Sequence, residues 1–267
     1  MSAFGDFMSI RKITSSDNKI YKKALSLLKK KYRDSEGLYL IEGENLLEEA
    51  VKCRQDIKTV FVSESYSRSL FGQEDKAFVL DDKLFSKLSE TETSQGVISV
   101  VKKPEAKASD FINLPGDCFV VLDRLQDPGN IGTIIRTADG AGYKLAIVMK
   151  GTADVFSSKV VRAATGSLFR MPVVYMASAK ELAEFTRAAG KKLVVSSLDN
   201  SRYYYHEDLS KDIALVIGNE GNGVSEELMD CSDLKVKIPM QGNIESLNAS
   251  VAAGILLYER IRKENAN

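Results

Sequence analysis

The chain has 267 residues, with 37 lysines or arginines, 37 aspartates or glutamates and a formal net charge of +0. Because the charges balance, the net charge gives no indication of a nucleic-acid or membrane partner. A charged binding surface would have to be confined to part of the chain. The length exceeds that of one typical domain and predicts two compact units.

The N-terminus and the cysteines indicate where the protein works. The chain begins Met1-Ser-Ala-Phe-Gly-Asp and then turns basic, without the apolar core of a signal peptide. No stretch approaches the ~18 continuous apolar residues of a membrane span. Cys53, Cys118 and Cys231 are far apart and form no CxxC pair, which indicates reduced thiols. We therefore expect a soluble, cytoplasmic protein without a metal.

Short apolar runs alternate with helical patterns in residues 1–103. Strands are predicted at 38–41, 59–62, 77–80 and 96–101, and helices at 44–51 and 82–88. This alternation predicts a small α/β domain. Residues 104–116 follow with two prolines and little apolar periodicity, which predicts a linker.

Residues 117–267 predict a second α/β domain. Apolar runs that alternate with helical segments lie at 119–122, 145–149, 173–175, 193–196, 214–217 and 235–238. Continuous apolar strands in such an alternation are typical of a parallel sheet covered on both faces. The last helix, predicted over 246–262, has an apolar stripe for packing on the sheet, on a partner subunit or on both.

The familiar glycine-rich nucleotide-binding motifs are missing from the sequence. There is no GxxxxGK[ST] motif, and neither Gly140-Ala-Gly142 nor Gly221-Asn-Gly223 extends to GxGxxG. A P-loop or an ordinary dinucleotide-binding Rossmann site is therefore disfavoured.

Polar segments follow three of the predicted strands, at the sheet edge where open α/β proteins bind ligands. The first has a Pro-Gly turn and then Asn130, predicted to cap a helix, with Arg136 six residues further on. At about 3.6 residues per turn these two side chains need not share a helix face. Capping by Asn130 and a surface ion pair of Arg136 would explain both residues without a function.

The second segment, Gly218-Asn-Glu-Gly-Asn-Gly, places one carboxylate among three glycines and two asparagines directly after a strand. Glycine permits a positive φ and a close approach of the backbone to a ligand. A long turn capped by Ser225 is the structural alternative. Glu220 has no local structural need in so flexible a loop, which favours a function for it.

The third segment begins at Pro239, which ends the preceding strand because proline removes a backbone donor. Ser246 and Asn248 then lie at the start of the final helix. Ser246 is a preferred N-cap residue. Asn248, two positions beyond a serine cap, is not explained in that way.

Taken together, these segments resemble the signature motifs of the SPOUT class of RNA methyltransferases, specifically the SpoU, or TrmH-like, family of 2′-O-ribose methyltransferases. The resemblance covers residues from about 117 to 262, and residues 1–103 are similar, less distinctively, to the family's ribosomal-protein-like substrate-binding domain. The matching residues are Asn130, Gly132 and Arg136, then Gly218-Asn-Glu220 with Gly223, then Ile238-Pro-Met240 with Ser246-Leu-Asn248.

The resemblance implies an α/β fold for residues 117–267 in which the chain passes through itself as a trefoil knot, against the usual topology rules. It also implies S-adenosylmethionine as the cofactor, held by the knot loops. The matching positions are Gly218, Ile238 and Leu247, with Ser197 of the preceding loop as a weaker candidate.

Methyl transfer requires activation of a ribose hydroxyl, and the resemblance nominates Arg136 for this role. Because a guanidinium is a poor base, we expect Arg136 to bind ribose or phosphate and to stabilise the developing alkoxide. The proton would pass to phosphate, water or Arg136 itself. Asn130 and Glu220 would orient Arg136 and the ribose, and Ser246 and Asn248 would complete the hydrogen bonds.

The only histidine, His206, lies in a tyrosine-rich stretch away from the three segments. Histidine is the usual base at neutral pH. We interpret His206 as a surface or packing residue, so base catalysis by histidine is not favoured.

Residues 1–34 contain nine lysines or arginines against three aspartates. A run of charge alone is often a solvated helix face. Next to an RNA-modifying domain, contact with phosphates is the better interpretation. The residues expected to bind RNA are Arg11, Lys12, Lys22, Lys23, Lys30, Lys31 and Arg33.

The leading hypothesis is 2′-O-ribose methylation of structured RNA, with ribosomal RNA favoured over transfer RNA. A catalytically silent RNA-binding or assembly protein of the same fold is the alternative, and the intact Arg136, Glu220 and Asn248 speak against it. A nucleotide-dependent oxidoreductase is disfavoured by the missing fingerprint. The resemblance further implies a homodimer with active sites at the subunit interface.

Overall fold

The computed structural model describes residues 10–112, 114–197, 201–243 and 246–265. These residues group into two compact units. The first takes in Met1–Lys103 and Asp154–Phe169, and the second takes in Pro104–Ala153 and Arg170–Asn267.

The described elements mostly alternate between strands and helices, as the apolar periodicity predicts. The strands are β1 (Arg11–Ile13), β2 (Leu38–Glu42), β3 (Ile57–Ser63), β4 (Ala77–Leu80), β5 (Val97–Lys102), β6 (Phe119–Leu122), β7 (Leu145–Met149), β8 (Val173–Met176), β9 (Lys192–Ser196), β10 (Arg202–Tyr203), β11 (Ile213–Ile217) and β12 (Leu234–Lys237). The α-helices are α1 (Lys19–Ser26), α2 (Lys30–Glu36), α3 (Glu44–Lys52), α4 (Asp82–Leu88), α5 (Pro128–Gly140), α6 (Ser158–Ala164), α7 (Ala179–Ala188), α8 (Glu226–Cys231) and α9 (Ala249–Glu264). Helices α1 and α2 follow one another directly, and no α-helix lies between β9, β10 and β11 among the described residues.

The first unit has a five-stranded sheet in the order β1-β4-β3-β5-β2. Strands β1, β4 and β3 are parallel, whereas β5 is antiparallel to both β3 and β2. One side of this sheet buries a core that includes Leu40, Phe61 and Leu80 together with Tyr21 of α1 and Phe85 of α4. The small α/β fold predicted for this part of the chain is confirmed.

Arg33 is buried in the first unit, with 6% of its surface exposed. Its Nε and Nη2 donate to Asp154 Oδ2 at 2.9 and 2.6 Å, and its Nη1 donates to the Leu27 carbonyl at 2.6 Å. Three of the five N–H donors of this guanidinium are thus used within the protein, and its burial keeps the side chain from a phosphate in solution. The expectation that Arg33 binds RNA is therefore replaced by a structural role.

We expect Arg33→Ala to lower the free energy of unfolding by about 3 kcal/mol, because it leaves the Asp154 carboxylate buried without its partner. Chemical denaturation of both proteins measures the loss. Lys31→Ala, two residues away on an exposed side chain, is the control and should change stability by less than about 0.5 kcal/mol. Equal stabilities of the two variants would refute the structural role.

The second unit has a seven-stranded sheet in the order β10-β12-β9-β11-β6-β7-β8, in which every neighbouring pair is parallel. All residues of β6, β7 and β11 are buried, which explains their continuous apolar sequences. The parallel sheet and its six predicted strands are confirmed. The two-residue edge strand β10 was not predicted, since its sequence has no apolar run.

Because neighbouring strands are parallel, the carboxyl ends of β12, β9, β11 and β6 lie along one edge of the sheet. The three polar segments follow β6, β11 and β12 at this edge. The trefoil knot stays a prediction, because strand order and register do not define how the chain passes through its own loops.

Helix α9 packs against α5 and β11, so part of its apolar surface is buried within the second unit. Val251 and Tyr258 remain 51% and 49% exposed on its outer side. In the described part of the chain, α9 included, no helix has the length and apolar character needed to cross a bilayer.

Candidate active site

Helix α5 begins after the loop that follows β6. Asp127 is its N-cap, because the Asp127 Oδ1 accepts a hydrogen bond from the backbone N–H of Asn130 at 2.7 Å. Pro128 occupies the first turn, where the missing N–H of proline costs nothing. The prediction that Asn130 caps this helix is therefore wrong. Asn130 lies in the first turn, 8% exposed, and its side chain makes tertiary hydrogen bonds instead.

The side-chain amide of Asn130 connects the three polar segments. Its Nδ2 donates to Glu220 Oε1 at 3.2 Å, and its Oδ1 accepts from Asn248 Nδ2 at 3.1 Å. One contact uses the donor of the amide and the other uses its acceptor, so together they assign its orientation. We call Glu220, Asn130 and Asn248 the amide row.

Glu220 has a structural role that the sequence did not indicate. Its Oε1 accepts from the backbone N–H of Asp127 at 3.1 Å, and its Oε2 accepts from that of Gln126 at 3.2 Å. A single carboxylate thus satisfies two donors of the loop that leads into α5. The need for Glu220 is therefore tertiary rather than local, and the same contacts also hold its carboxylate beside Asn130.

Asn248 is the N-cap of α9, and the interpretation that capping cannot explain it is also wrong. Its Oδ1 accepts from the backbone N–H of Ser250 at 2.9 Å and of Val251 at 3.3 Å. The cap fixes the side-chain torsion of Asn248 and directs its Nδ2 towards Asn130. Ser246, the expected cap, lies two residues before the helix boundary.

The loop after β11 is a tight turn rather than a flexible one. Backbone hydrogen bonds join Asn219 and Gly223 in both directions at 2.9 Å. The Asn219 Oδ1 accepts from the N–H of Gly221 at 3.0 Å, and its Nδ2 donates to the Arg124 carbonyl at 2.8 Å. Asn219 therefore ties the second segment to the loop of the first.

Asp123 is a further residue of this edge that the sequence analysis missed. It is 2% exposed, and its Oδ2 accepts from the backbone N–H of Ser225 at 2.7 Å. Its own N–H donates to the Ile217 carbonyl, which extends the pairing of β6 and β11 by one residue. An acidic residue directly after a buried strand was the available signal.

A cavity of about 440 Å³ lies beside the amide row, and that volume is in the range of small-ligand pockets. The ends of β9, β11 and β12 and the start of α9 form its wall. Apolar side chains such as Met240 and Val236 alternate there with serine hydroxyls and the asparagines of the tight turn. The site residues named from the sequence that line it are Ser197, Gly218, Glu220, Ile238, Ser246 and Leu247.

Arg136 and Asn130 are not among the described residues that line this cavity. Asn130 is linked to it through Glu220. Arg136 lies on the exposed side of α5. The four positions expected to bind the cofactor therefore line one cavity. In a single copy of the chain, the Arg136 guanidinium expected to act in catalysis is not part of the described lining of that cavity.

A family model described as the SpoU rRNA Methylase family matches residues 117–258, which include the amide row and the cavity. The chain belongs to this family. A second model, the MRM3-like substrate binding domain, matches residues 18–99. The resemblance inferred from the three segments is therefore confirmed.

Several SpoU-family relatives match this chain over almost their whole length. The 23S rRNA (guanosine(2553)-2'-O)-methyltransferase RlmP of Bacillus subtilis strain 168 is 38% identical, covering 93% of this chain and 98% of the relative. The AdoMet-bound rRNA methyltransferase of Sinorhizobium meliloti has a TM-score of 0.84 and 32% identity, with 95% and 98% of the two chains covered. AviRb of Streptomyces viridochromogenes, solved with AdoMet, has a TM-score of 0.85 and 30% identity, with 94% and 99% covered.

The hydrogen bonds around Glu220 make the stability of this SpoU-family site depend on pH. Burial acts to raise the pKa of Glu220, but hydrogen bonds from its own N–H, from Asn130 and from the N–H groups of Asp127 and Gln126 hold it below the usual value. A lowered pKa in the folded state contributes stability above the unfolded pKa of about 4.3, and this contribution is lost as pH falls through the folded value.

We expect Glu220→Gln to melt below the wild type at pH 7, because the amide NH2 that replaces one carboxylate oxygen faces a backbone N–H, that of Gln126 or that of Asp127, which then loses its acceptor. The difference in Tm should begin to shrink below the unfolded pKa of about 4.3 and be lost as pH falls through the lower folded pKa, where the wild-type carboxylate becomes neutral as well. Thermal melts of both proteins across this range measure it. A Tm difference that is independent of pH would show that the charge of Glu220 is not involved.

Proposed function

We propose that this protein transfers the methyl group of S-adenosylmethionine to a ribose 2′-hydroxyl of 23S rRNA. The observation that carries the proposal is the amide row, which joins three loops of a SpoU-family domain beside one cavity. Two relatives support the RNA class. RlmP of Bacillus subtilis is named for a 23S rRNA guanosine, and an enzyme of Streptomyces viridochromogenes that is 33% identical over 95% of this chain is named for a 23S rRNA uridine.

The chemistry of the cavity fits S-adenosylmethionine. Ile238 and Leu247 offer apolar surface for the adenine, and Ser197 offers a hydroxyl for the polar parts of the cofactor. Gly218 allows the loop to pass close to the end of β11. When bound, S-adenosylmethionine supplies an electrophilic methyl group on a sulfonium. The residues of this chain hold the two reactants and stabilise the oxygen that becomes negative.

Arg136 binds the ribose or an adjacent phosphate and stabilises the developing alkoxide. A guanidinium stays protonated and donates hydrogen bonds in a fixed fork, which suits an oxyanion better than a base would. Asn130 and Glu220 hold the start of α5 in position, and Asn248 fixes the amide of Asn130. Ser246 lies at the cavity and completes the polar surface around the ribose.

The protein acts as a homodimer in which α5 and α9 pack on a second copy. Val251 and Tyr258 are large apolar side chains with about half of their surface exposed on α9. Arg136 lies on the exposed side of the neighbouring α5, outside the cavity of its own chain. A second copy packed on this face would bring Arg136 within reach of a cavity, so the site is complete only in the dimer.

Residues 1–103 form the RNA substrate-binding domain, residues 104–116 the linker and residues 117–267 the methyltransferase domain. Arg11 and the lysines at 12, 22, 23, 30 and 31 are exposed in the first of these. Lys22, Lys23 and Lys30 form ion pairs with carboxylates, but such exposed pairs are weak and can be exchanged for phosphates.

Mapping of ribose methylation in total RNA, from cells with and without the gene, tests the function. We expect one 23S rRNA position to lose its methyl group, and the positions named for RlmP and for the Streptomyces uridine enzyme are the first to examine. Loss of a transfer RNA methyl group instead would support the alternative substrate.

A thermal-shift assay tests the cofactor separately. S-adenosylhomocysteine should raise the Tm, because a ligand that binds only the folded state stabilises it by mass action. NAD should have no effect. The opposite pattern, together with unchanged methylation of all RNA, would refute the proposed function.

A further inference from the structure

An exposed aromatic cluster follows β10 at the edge of the parallel sheet. Its members, Tyr203, Tyr205 and His206, are called the tyrosine cluster here. Tyr203 and Tyr205 are 41% and 36% exposed, and their rings are stacked with centroids 5.5 Å apart and planes inclined by 13°. The His206 ring lies 4.5 Å from that of Tyr205 at a steep angle. Flat apolar rings therefore face solvent where a sheet edge would ordinarily be polar or charged.

Positive side chains surround the tyrosine cluster. The Lys237 ammonium lies 5.5 Å from the centre of the Tyr203 ring, and it has no ion-pair partner in the described parts of the chain. Arg202, whose side chain is 74% exposed, forms one ion pair with Glu207 at 3.1 Å. Arg202 also lines a separate cavity of about 500 Å³.

Both basic and acidic side chains line that cavity, and the basic ones are more numerous. Arg187 and Lys192 join Arg202 there, and the carboxylates of Glu207 and Asp233 oppose them. Of these five side chains three are positive and two negative, so the wall keeps a positive excess although Asp233, whose Oδ2 accepts from the backbone N–H of Leu193 at 2.8 Å, retains its charge. The surface next to the cluster therefore attracts anions.

The tyrosine cluster is adjacent to the cavity beside the amide row. Tyr203 of β10 is the register partner of Lys237 in β12, and Lys237 lines that cavity. Neighbouring strands are about 4.8 Å apart, so one strand spacing separates the cluster from the cavity wall.

We propose that the tyrosine cluster binds an unpaired nucleotide of the substrate RNA, next to the nucleotide that is methylated. The base stacks on the exposed face of the tyrosine rings, and Lys237 and Arg202 contact its phosphates. Stacked aromatic rings beside cations are the surface that single-stranded nucleic acid requires, since every base has a flat face and every linkage a negative charge. The proposal rests on the proposed function, because it assigns part of the same substrate.

Fluorescence of an RNA that carries 2-aminopurine tests this site, because the protein contains no tryptophan to interfere. The probe is a single strand of about 12 nucleotides, and the same strand annealed to its complement is the comparison. We expect the wild type to quench the single strand, and Tyr203→Ala with Tyr205→Ala to weaken its binding about 10-fold or more. Binding of the duplex should not change.

Two control variants separate stacking from other effects. Tyr203→Phe with Tyr205→Phe keeps the rings and should bind the single strand as the wild type does. Tyr175→Ala removes a tyrosine that is 52% exposed on β8, at the opposite edge of the same sheet, and should also have no effect.

Equal single-strand affinity of the alanine variant and the wild type would overturn the proposal. So would an alanine variant that changes only the oligomeric state, because the cluster would then be covered by a second copy of the chain. Neither result would affect the thermal shift with S-adenosylhomocysteine or the mapped methylation, which test the proposed function separately.

Discussion

Arg136→Ala should retain binding of S-adenosylhomocysteine and lose methyl transfer by about 100-fold or more. The substitution removes a positively charged hydrogen-bond donor. Its partner, the ribose oxygen, becomes negative only as the transition state forms, so the loss falls on the rate of transfer. Cofactor binding should persist because Arg136 is not among the described residues that line the cavity. Isothermal titration with S-adenosylhomocysteine and single-turnover transfer to 23S rRNA measure the two quantities.

Arg136→Lys is the matched variant. It retains the charge but not the planar fork, so transfer should recover only in part. A transfer rate of Arg136→Ala close to that of the wild type would remove Arg136 from the mechanism. Loss of cofactor binding in the same variant would instead place the side chain at the cavity.

Gly218→Ala should lower the free energy of unfolding by about 3 kcal/mol and abolish the thermal shift with S-adenosylhomocysteine. A Cβ at this position would lie 2.2 Å from the backbone nitrogen of Val224 and 2.5 Å from the Gly223 carbonyl oxygen. Backbone atoms cannot rotate away as a side chain can, so the tight turn must shift. Both the turn and Gly218 line the cavity, and their movement changes its shape.

Gly221→Ala, in the same loop, is the control for this substitution. Its added Cβ would lie 3.6 Å from the Asn219 Oδ1, an ordinary contact, and we expect a change in stability below about 0.5 kcal/mol. Denaturant unfolding and thermal shifts of both variants make the comparison. Similar behaviour of the two would show that the close approach at Gly218 is not what maintains the turn.

The strands of the second unit could be predicted well because burial on both faces leaves a signal in each strand separately. All four residues of β6 and all five of β11 are buried, and both read as continuous apolar runs. The short edge strand β10 has no such signal, since Arg202 and Tyr203 are both exposed. Its place in the sheet depends on pairing with β12.

Helix starts were predicted less well because several residues near each start could act as the cap. Asp127 caps α5 in place of Asn130, and Asn248 caps α9 in place of Ser246. Propensity ranks these residue types almost equally. The path of the chain into each helix determines which of them has its oxygen near the free N–H groups.

The burial of Arg33 likewise depends on a residue that is distant in sequence. Its position in a basic run predicts an exposed cation, and its neighbour Lys31 is indeed exposed. Arg33 is buried because Asp154, 121 residues away in sequence, supplies a carboxylate to it. No local pattern contains that information.

The amino-acid order alone was sufficient to place six of the seven strands of the second unit and its last helix, and to identify the three polar segments and the family that they resemble. Tertiary packing alone determines that Asn130 meets both Glu220 and Asn248, 90 and 118 residues away. The physical reason is that hydrogen bonding between these side chains requires β6 and β11 to be neighbours and α9 to pack against α5. Apolar patterning within each element does not specify its neighbours.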